Sequence, residues 1–151
     1  MPLAVQISPL SEIPSALREV TALLSEAGLP IDDIDRDEVV LSVATADGAV
    51  VAAIGTEIYG SVGLLRSLVV SHAMRRRGLG IRMVAHLEDF ARKAGAAQLF
   101  LLTETETGFF SQLGYTAVPR EQVPDAIRAT RQFSSLCPDS ADCMHKLLDA
   151  S

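Results

Sequence analysis

Residues 72–83 read H-A-M-R-R-R-G-L-G-I-R-M, in which three arginines precede two glycines that are one residue apart. The stretch follows an apolar run, L-L-R-S-L-V-V at 64–70, and the residues after it have the apolar spacing of a helix. Glycine lets a ligand approach the backbone, and the first turn of a helix has N–H groups without intrahelical acceptors. The sequence therefore predicts a strand, a phosphate-binding loop and a helix at this point.

The acidic balance of the chain restricts what this basic loop can indicate. The 151 residues include 13 Lys and Arg against 19 Asp and Glu, for a formal net charge of -6. A protein that coats DNA or RNA normally presents a basic surface, so we expect no nucleic-acid partner. The three arginines are interpreted instead as a local site for one pyrophosphate.

The bulk composition predicts a single folded domain over residues 1–151. Hydrophobic residues make up 48% of the chain, which is typical of a globular protein, and no apolar run approaches the roughly 20 residues that cross a bilayer. The first residues lack the basic region and long apolar segment of a signal peptide. Two cysteines are too few for a disulfide framework. We expect a cytoplasmic protein without a membrane partner, and the sequence leaves a homodimer open.

The order of the predicted elements is that of an α/β protein with a mixed sheet. Seven segments have the composition and turn boundaries of strands: 4–7, 39–45, 49–59, 64–70, 97–102, 115–118 and 143–148. Four segments have helical spacing: 11–26, 80–93, 108–113 and 123–132. Residues 119–151 are expected to form a C-terminal extension that completes the sheet.

Three landmarks in order resemble a known family. The spacing R-x-x-G-x-G at 75–80 resembles the acetyl-coenzyme A signature of the GNAT N-acetyltransferase superfamily. L-V-V at 68–70 stands where the fourth strand of that family ends, and G-F-F-S-Q-L-G-Y at 108–115 resembles its late aromatic segment. The element order is similar over about 4–118. The alternative, an ordinary strand, loop and helix with solvated arginines, leaves the other two landmarks as coincidence.

The resemblance implies a GNAT-like acyl-CoA N-acyltransferase fold in which the fourth and fifth strands splay apart. The pantetheine arm of acetyl-coenzyme A is then expected to pair with the backbone of Leu68 and Val70, with an N–H near Val69 polarising the thioester carbonyl. The pyrophosphate is expected on the N–H groups of the glycine loop. The residues predicted to bind acetyl-coenzyme A are Leu68, Val69, Val70, Arg75, Arg76, Arg77, Gly78, Leu79, Gly80, Ile81 and Phe110.

Acetyl transfer from a thioester to an amine requires a base, because the amine must lose a proton before it attacks. Glu57, near the end of the third strand, is the predicted base and is expected to act through water. The alternative is a solvated carboxylate at the end of a strand. Glu104, just beyond the fifth strand, is predicted to hold a cationic acceptor.

Arg66 and Ser67 are unusual residues for the fourth strand, where Val or Ile would be the propensity choice. Arg66 is predicted to anchor an anionic group of the acceptor, with Ser67 beside it in the substrate site. The alternative for Arg66 is a side chain that points to solvent from a half-exposed strand.

Phe110 departs from the family pattern. The family often has Tyr at this position, suited to protonating the departing thiolate, whereas Phe has no proton to donate. The thiolate then leaves unaided or takes a proton from another donor, and the loss leaves open a protein that binds acetyl-coenzyme A without turnover. Tyr115, five residues on, is expected to pack in the core.

A narrower resemblance covers most of the chain and points to a small acetyltransferase subgroup associated with bacterial arsenic-resistance gene sets. It rests on G-T-E-I-Y-G (55–60), L-L-R-S-L (64–68), L-L-T (101–103) and the segment R-A-T-R-Q-F-S-S-L-C-P-D-S-A-D-C-M (128–144). It implies a role in detoxification and does not fix the identity of the acceptor.

Cys137 and Cys143 allow two interpretations, as thiolate ligands of a metalloid or as small buried hydrophobes. No site for a metal ion is predicted. The alternative to an enzyme is a module that senses acetyl-coenzyme A or a metalloid.

Overall fold

A computed structural model of the protein describes residues 5–136 and 141–148. This part of the chain contains seven strands: β1 (Gln6–Pro9), β2 (Val40–Ala46), β3 (Ala49–Tyr59), β4 (Val62–Val70), β5 (Gln98–Thr103), β6 (Thr116–Ala117) and β7 (Asp142–Leu147). It also contains four α-helices: α1 (Leu17–Glu26), α2 (Leu79–Lys93), α3 (Thr107–Gln112) and α4 (Asp125–Arg128). All seven strands begin and end within two residues of their predicted bounds.

The strands form a mixed sheet in the order β1-β2-β3-β4-β5-β7-β6, which confirms the predicted mixed α/β fold. β4 and β5 are parallel, whereas β1 with β2, β2 with β3, β5 with β7 and β6 with β7 are antiparallel. The residues group into two compact units, one made of residues up to 56 together with 67–87, the other of 57–66 together with the residues from 88 onward.

In the first unit, α1 packs its apolar face on β2 and β3. Val20 and Leu24 are completely buried and share a core with Val43 and Ala53. Asp47 and Gly48 join β2 to β3 and both have positive φ, 53° and 80°, as the predicted tight hairpin turn requires.

The predicted helix over 11–26 starts too early, because only Leu17–Glu26 is α-helical. Two 3₁₀ turns, Leu10–Glu12 and Pro14–Ala16, precede it. Ile13 between them has φ -135° and ψ 64°, outside the helical region, as the residue before a proline prefers. Pro14 also lacks the N–H that a continuous helix would use.

In the second unit, the ladder between β4 and β5 is short. It consists of the pairs Val62–Gln98, Gly63–Leu99 and Leu64–Phe100. Both strands continue, but among the residues of this unit no pair joins them after Leu64, and the rest of β5 pairs with β7 on its other side. The ladder between the two strands therefore ends early within this unit, which agrees with the predicted fold.

Gly63 lies in this short ladder, where the neighbouring chains approach closely. A Cβ atom at this position would lie 2.9 Å from the Cδ1 of Ile58 and 2.9 Å from the Cδ2 of Leu99. Any larger residue requires the ends of both side chains to shift.

The C-terminal segment covers one face of the second unit. Val123, Ile127 and Phe133 pack with Leu64, Phe100 and Cys143, and Tyr59 is partly buried against the same core.

The predicted helix over 123–132 is wrong in length, since only Asp125–Arg128 is α-helical and a π-helical turn follows at Gln132–Leu136. Pro124 has an extended conformation and prevents an earlier start. Thr130 donates a hydrogen bond from Oγ1 to the carbonyl of Ile127, at 2.7 Å, and so competes with the helical backbone pattern.

Candidate functional site

The basic loop between β4 and α2 is anchored by backbone hydrogen bonds and buried side chains at its two ends, and its middle is exposed. The N–H of Ser71 donates to the carbonyl of Val51 at 2.8 Å, and the N–H of Met74 donates to the carbonyl of Ser71 at 3.0 Å. The side chains of Met74 and Leu79 are buried, whereas residues 75–78 between them are exposed. The buried side chains thus hold the backbone while the arginines project outward.

Two residues of this loop have a left-handed backbone conformation. Arg76 and Gly78 have positive φ, 66° and 78°. Holding a non-glycine residue such as Arg76 in this region costs roughly 1–2 kcal/mol. Strain of this kind tends to occur at binding sites, and alternating backbone handedness forms concave groups of N–H donors that bind anions.

The first turn of α2 leaves donors for a ligand. The first bond of the helix runs from the N–H of Arg82 to the carbonyl of Gly78 at 3.1 Å. The N–H groups of Leu79, Gly80 and Ile81 therefore have no acceptor within the helix. With the positive end of the helix dipole beside them, they form a site suited to an anion.

The three arginines are not equivalent. Nε of Arg75 donates to the carbonyl of Val70 at 3.2 Å, so this side chain closes the loop on the end of β4. The exposed side chains of Arg76 and Arg77 have no ion-pair or hydrogen-bond partner among the described residues. They are the charges that an external anion can reach.

The end of β4 contains a backbone irregularity. Ser67 is buried and has φ 59°, a value that strands do not have, and it separates Arg66 from the residues predicted to meet pantetheine. Val69 is buried, and Leu68 and Val70 are half-buried.

Glu57, Tyr59 and Arg66 form a polar cluster in the second unit. The NH1 atom of Arg66 lies 2.9 Å from Oε2 of Glu57, and the hydroxyl of Tyr59 donates to Oε1. The side chain of Arg66 is 0% exposed and that of Glu57 is 3% exposed. Both oxygens of the buried carboxylate are therefore hydrogen-bonded.

This geometry rules out two of the alternatives that the sequence left open. Glu57 is not a solvated carboxylate at the end of a strand, and Arg66 does not point to solvent. The anion that Arg66 contacts here is a carboxylate of its own chain. The predicted roles of Glu57 as a base and of Arg66 as an acceptor anchor remain predictions.

Tyr59 is the member of this cluster that sequence reasoning missed. Residues two apart on a strand point to the same face, so the spacing E-I-Y at 57–59 already places the hydroxyl beside the carboxylate. Glu104 is exposed in the turn between β5 and α3, and its predicted contact with the acceptor also remains a prediction.

A second buried network surrounds Tyr115. Its hydroxyl donates to Oε2 of Glu88 at 2.9 Å, and Nζ of Lys146 lies 3.0 Å and 3.1 Å from the two Glu88 oxygens. Burial first, and then the negative charge of Glu88, raise the pKa of Tyr115 far above its ordinary value. Tyr115 is thus a core residue, as predicted, with its proton committed to Glu88.

Phe110 belongs to the aromatic packing beside that network. Its side chain is buried and meets the ring of Tyr115 edge-on, with the ring centroids 5.6 Å apart. Phe109 contacts it in the same way at 5.1 Å.

Cys143 is a free, buried thiol. Burial raises its pKa to about 11, although the charge of Arg120 partly offsets the effect. The thiol is therefore protonated at neutral pH and packs as a small hydrophobe. Cys137 lies outside the described residues.

Within the described ranges no three His, Cys, Asp or Glu side chains converge as metal ligands. None of the described helices has the length and apolar character needed to cross a membrane.

Comparisons with known proteins agree with this geometry. The model of the acetyltransferase (GNAT) family matches residues 11–115. The mouse N-alpha-acetyltransferase 80 is 40% identical over 52 residues, which are 34% of this chain and 17% of that protein. An uncharacterized N-acetyltransferase of Chlorobaculum tepidum is 33% identical over 63 residues, 42% of this chain and 40% of that protein. The chain therefore aligns with less than half of the length of either relative.

Among solved structures, the N-acetylglutamate synthase of Neisseria gonorrhoeae in complex with coenzyme A and L-arginine has a TM-score of 0.80 at 19% identity. That match covers 97% of this chain and 34% of the synthase. An aminoglycoside 6'-N-acetyltransferase in complex with coenzyme A has a TM-score of 0.72 at 19% identity, covering 95% of this chain and 97% of that one. At this identity the two structures establish a shared fold.

Proposed function

The chain belongs to the GNAT family of acetyltransferases, and from that premise we propose that it transfers the acetyl group of acetyl-coenzyme A to the amine of a small molecule. The observation that carries the proposal is the start of α2. Three N–H groups without helical acceptors lie there beside an exposed, basic and glycine-containing loop.

The residues of this loop fit the pyrophosphate of acetyl-coenzyme A. The N–H groups of Leu79, Gly80 and Ile81 would hold the phosphate oxygens, and the side chains of Arg76 and Arg77 would supply charge. Gly78 has φ 78° and nothing within 4 Å of its Cβ direction, so the backbone is open to a ligand on that side. When bound, acetyl-coenzyme A would supply the acetyl thioester.

We propose that the end of β4, including Leu68, Val69 and Val70, receives the pantetheine arm as an added strand. The early end of the β4–β5 ladder, after Leu64 and Phe100, supports this assignment.

The proposed work of the polar cluster is to remove a proton from the amine. An alkyl amine is largely protonated at neutral pH and cannot attack until it loses that proton. Glu57 is the proposed base. Arg66 neutralises its charge inside the protein, which makes it tolerable to bury the carboxylate.

A small cationic or amino-acid-like acceptor is the proposed substrate class. The net charge of -6 and the exposed carboxylates of Glu104 and Glu106 favour a cationic molecule. The matched family structures include an enzyme that acts on aminoglycosides. We further propose a cytoplasmic enzyme with a role in arsenic resistance, for which the sequence resemblance is the support.

A panel of amines tests the proposal directly. Release of free coenzyme A thiol from acetyl-coenzyme A would be followed with aminoglycosides, amino acids, polyamines and a lysine-rich peptide. We expect amine-dependent release with at least one small molecule and a lower kcat/KM with the peptide. A preference for the peptide would contradict the proposed substrate class.

A non-catalytic sensor of acetyl-coenzyme A is the second candidate. It is favoured by the absence of a proton donor at Phe110 and by the commitment of the Tyr115 hydroxyl to Glu88. Binding of acetyl-coenzyme A in calorimetry, with no thiol release for any amine, would support the sensor and overturn the enzyme.

A further inference from the structure

The polar cluster has one accessible member. Glu57 and Arg66 are each 2% exposed, whereas Tyr59 is only half-buried. Both oxygens of Glu57 already accept hydrogen bonds, from Arg66 and from Tyr59. A proton from outside can therefore reach the carboxylate through one of these two partners.

The two partners differ in what they can do with a proton. The guanidinium of Arg66 has donors only and keeps its charge in proteins, so it cannot accept a proton. The hydroxyl of Tyr59 has one proton to donate and lone pairs that can accept another. Tyr59 is thus the partner whose chemistry permits transfer to Glu57.

We propose that Tyr59 is a positioning residue that passes the proton of the acceptor amine to Glu57; the proposal rests on the acetyltransferase function proposed above. One N–H bond of the ammonium group breaks, and its electron pair remains on the nitrogen. The proton moves to the hydroxyl oxygen of Tyr59 through one water. The proton that Tyr59 already donates then moves to Oε1 of Glu57. Amine and Glu57 are both neutral after the step, and Arg66 keeps its charge.

The ring of Tyr59 is held in place by the C-terminal segment. It packs against the core that contains Leu64, Val123, Ile127 and Phe133. Three of these residues lie beyond residue 115, where the match to the family model ends. The orientation of the hydroxyl therefore depends on a part of the chain that the family model does not match.

Tyr59→Phe tests the proposal because it keeps the ring and removes only the hydroxyl. We expect kcat at neutral pH to fall by roughly 100-fold, at the lower end of the contribution of a positioned proton-transfer group, with little change in the KM for acetyl-coenzyme A. The loss should shrink as pH rises, since more of the amine is then already neutral. The double variant with Glu57→Gln should be no slower than Glu57→Gln alone, because both changes interrupt one path.

A purely structural role for Tyr59 gives different results. Tyr59→Phe would then lower the urea midpoint, and any loss of rate would be independent of pH and would multiply with that of Glu57→Gln. Either result would overturn the proposal. Failure of the acetyltransferase function itself appears separately, as a wild-type protein that releases no thiol with any amine.

The chain offers a test that preserves the packing. It contains only two tyrosines, so 3-fluorotyrosine incorporated into a Tyr115→Phe variant replaces Tyr59 alone. The matched control is the same variant with ordinary tyrosine. Fluorine makes the phenol more acidic, and a phenolate has no proton to pass on, so the alkaline limb of the kcat/KM profile should move to lower pH. Coincident profiles for the two proteins would overturn the proposed proton path.

Discussion

The loop at 75–78 and the Glu57 cluster both contain arginine, but its side chain is exposed in the loop and buried in the cluster. Arg76 and Arg77 are exposed beside N–H groups without helical acceptors, whereas Arg66 is completely buried against a carboxylate. The loop is suited to a charge that comes from outside, and the cluster supplies its own. Donors without an internal acceptor thus indicate a surface for an external ligand. In the buried ion pair, each charge already has a partner, and an external molecule reaches it through a neighbouring side chain.

The largest loss of kcat is expected from a substitution in the buried Glu57 cluster. Glu57→Gln keeps the size of the side chain and removes its basicity, so kcat should fall by roughly 10²–10⁴-fold. Steady-state thiol release over a range of pH measures it, and the loss should shrink at higher pH. A rate equal to that of wild type at neutral pH would remove Glu57 from the role of base and make Glu104 the next candidate.

This variant needs a stability control, because it leaves the buried charge of Arg66 without its partner. The urea midpoint of Glu57→Gln and its affinity for acetyl-coenzyme A show whether the folded protein is intact. A variant that still binds acetyl-coenzyme A normally but has lost turnover isolates the chemical step.

On the exposed side, Gly78→Asp should weaken acetyl-coenzyme A binding by roughly a hundredfold, since it places a negative charge where the pyrophosphate is expected. Gly78→Asn is the matched control, because Asn has a similar size and also tolerates positive φ. Calorimetry compares the two. Equal affinities for the Asp and Asn variants and wild type, with all three folded, would show that this loop does not hold the cofactor.

Cys143 is buried like Arg66, but its side chain has no charge at neutral pH. Burial raises the pKa of the folded thiol to about 11 from an ordinary value of 9.0. Below pH 9 the thiol is protonated in both states. Between pH 9 and 11 only the unfolded state loses the proton, so this contribution to stability, at most about 3 kcal/mol, is lost as pH rises.

Cys143→Ala is the reference for this effect, since it cannot titrate. The difference in unfolding free energy between wild type and this variant, measured in urea at several pH values, should decrease from pH 9 to pH 11. A constant difference would mean that the pKa of the Cys143 thiol is not raised in the folded protein.

The smallest effect is expected at Phe110. Its ring packs edge-on against Tyr115 in a buried layer, and Phe110→Tyr adds one hydroxyl to it. If no group has the acid role in the wild-type protein, turnover should stay the same or rise by a few-fold, below the roughly 10²–10⁴-fold that a positioned proton donor can contribute. A collapse of kcat with normal acetyl-coenzyme A binding would show instead that Phe110 shapes the thioester or acceptor pocket.

The loop was predictable because its signals are local. Within 30 residues the sequence contains a strand, a basic turn with Gly78 and Gly80, and a helical repeat. Each of these patterns predicts the backbone conformation of its own residues. The splayed strands were expected from the family resemblance, and the β4–β5 ladder ends early within the second unit.

The Glu57 cluster was only partly predictable, since its geometry depends on contacts between strands. The sequence marked Glu57 as a candidate base and Arg66 as an unusual strand residue but could not show that they contact each other. That pairing requires the two strands to place both side chains on one face. The break at Thr130 was missed for another reason, because a side-chain hydrogen bond overrode the apolar spacing.

Gly63 restricts which substitutions the ladder between β4 and β5 accepts during evolution. A methyl group there would press on Ile58 and Leu99 at once, so even alanine requires two side chains on neighbouring strands to move together. A Cβ at Gly60 or Gly78 meets open space, and substitution there costs only the strain of positive φ. In a library of random variants selected for folding, we expect a substitution at position 63 to occur together with changes at Ile58 or Leu99, whereas substitutions at the two turns need no such change. With only a hydrogen atom as its side chain, Gly63 lets β4 approach Leu99 of β5 closely within this short ladder.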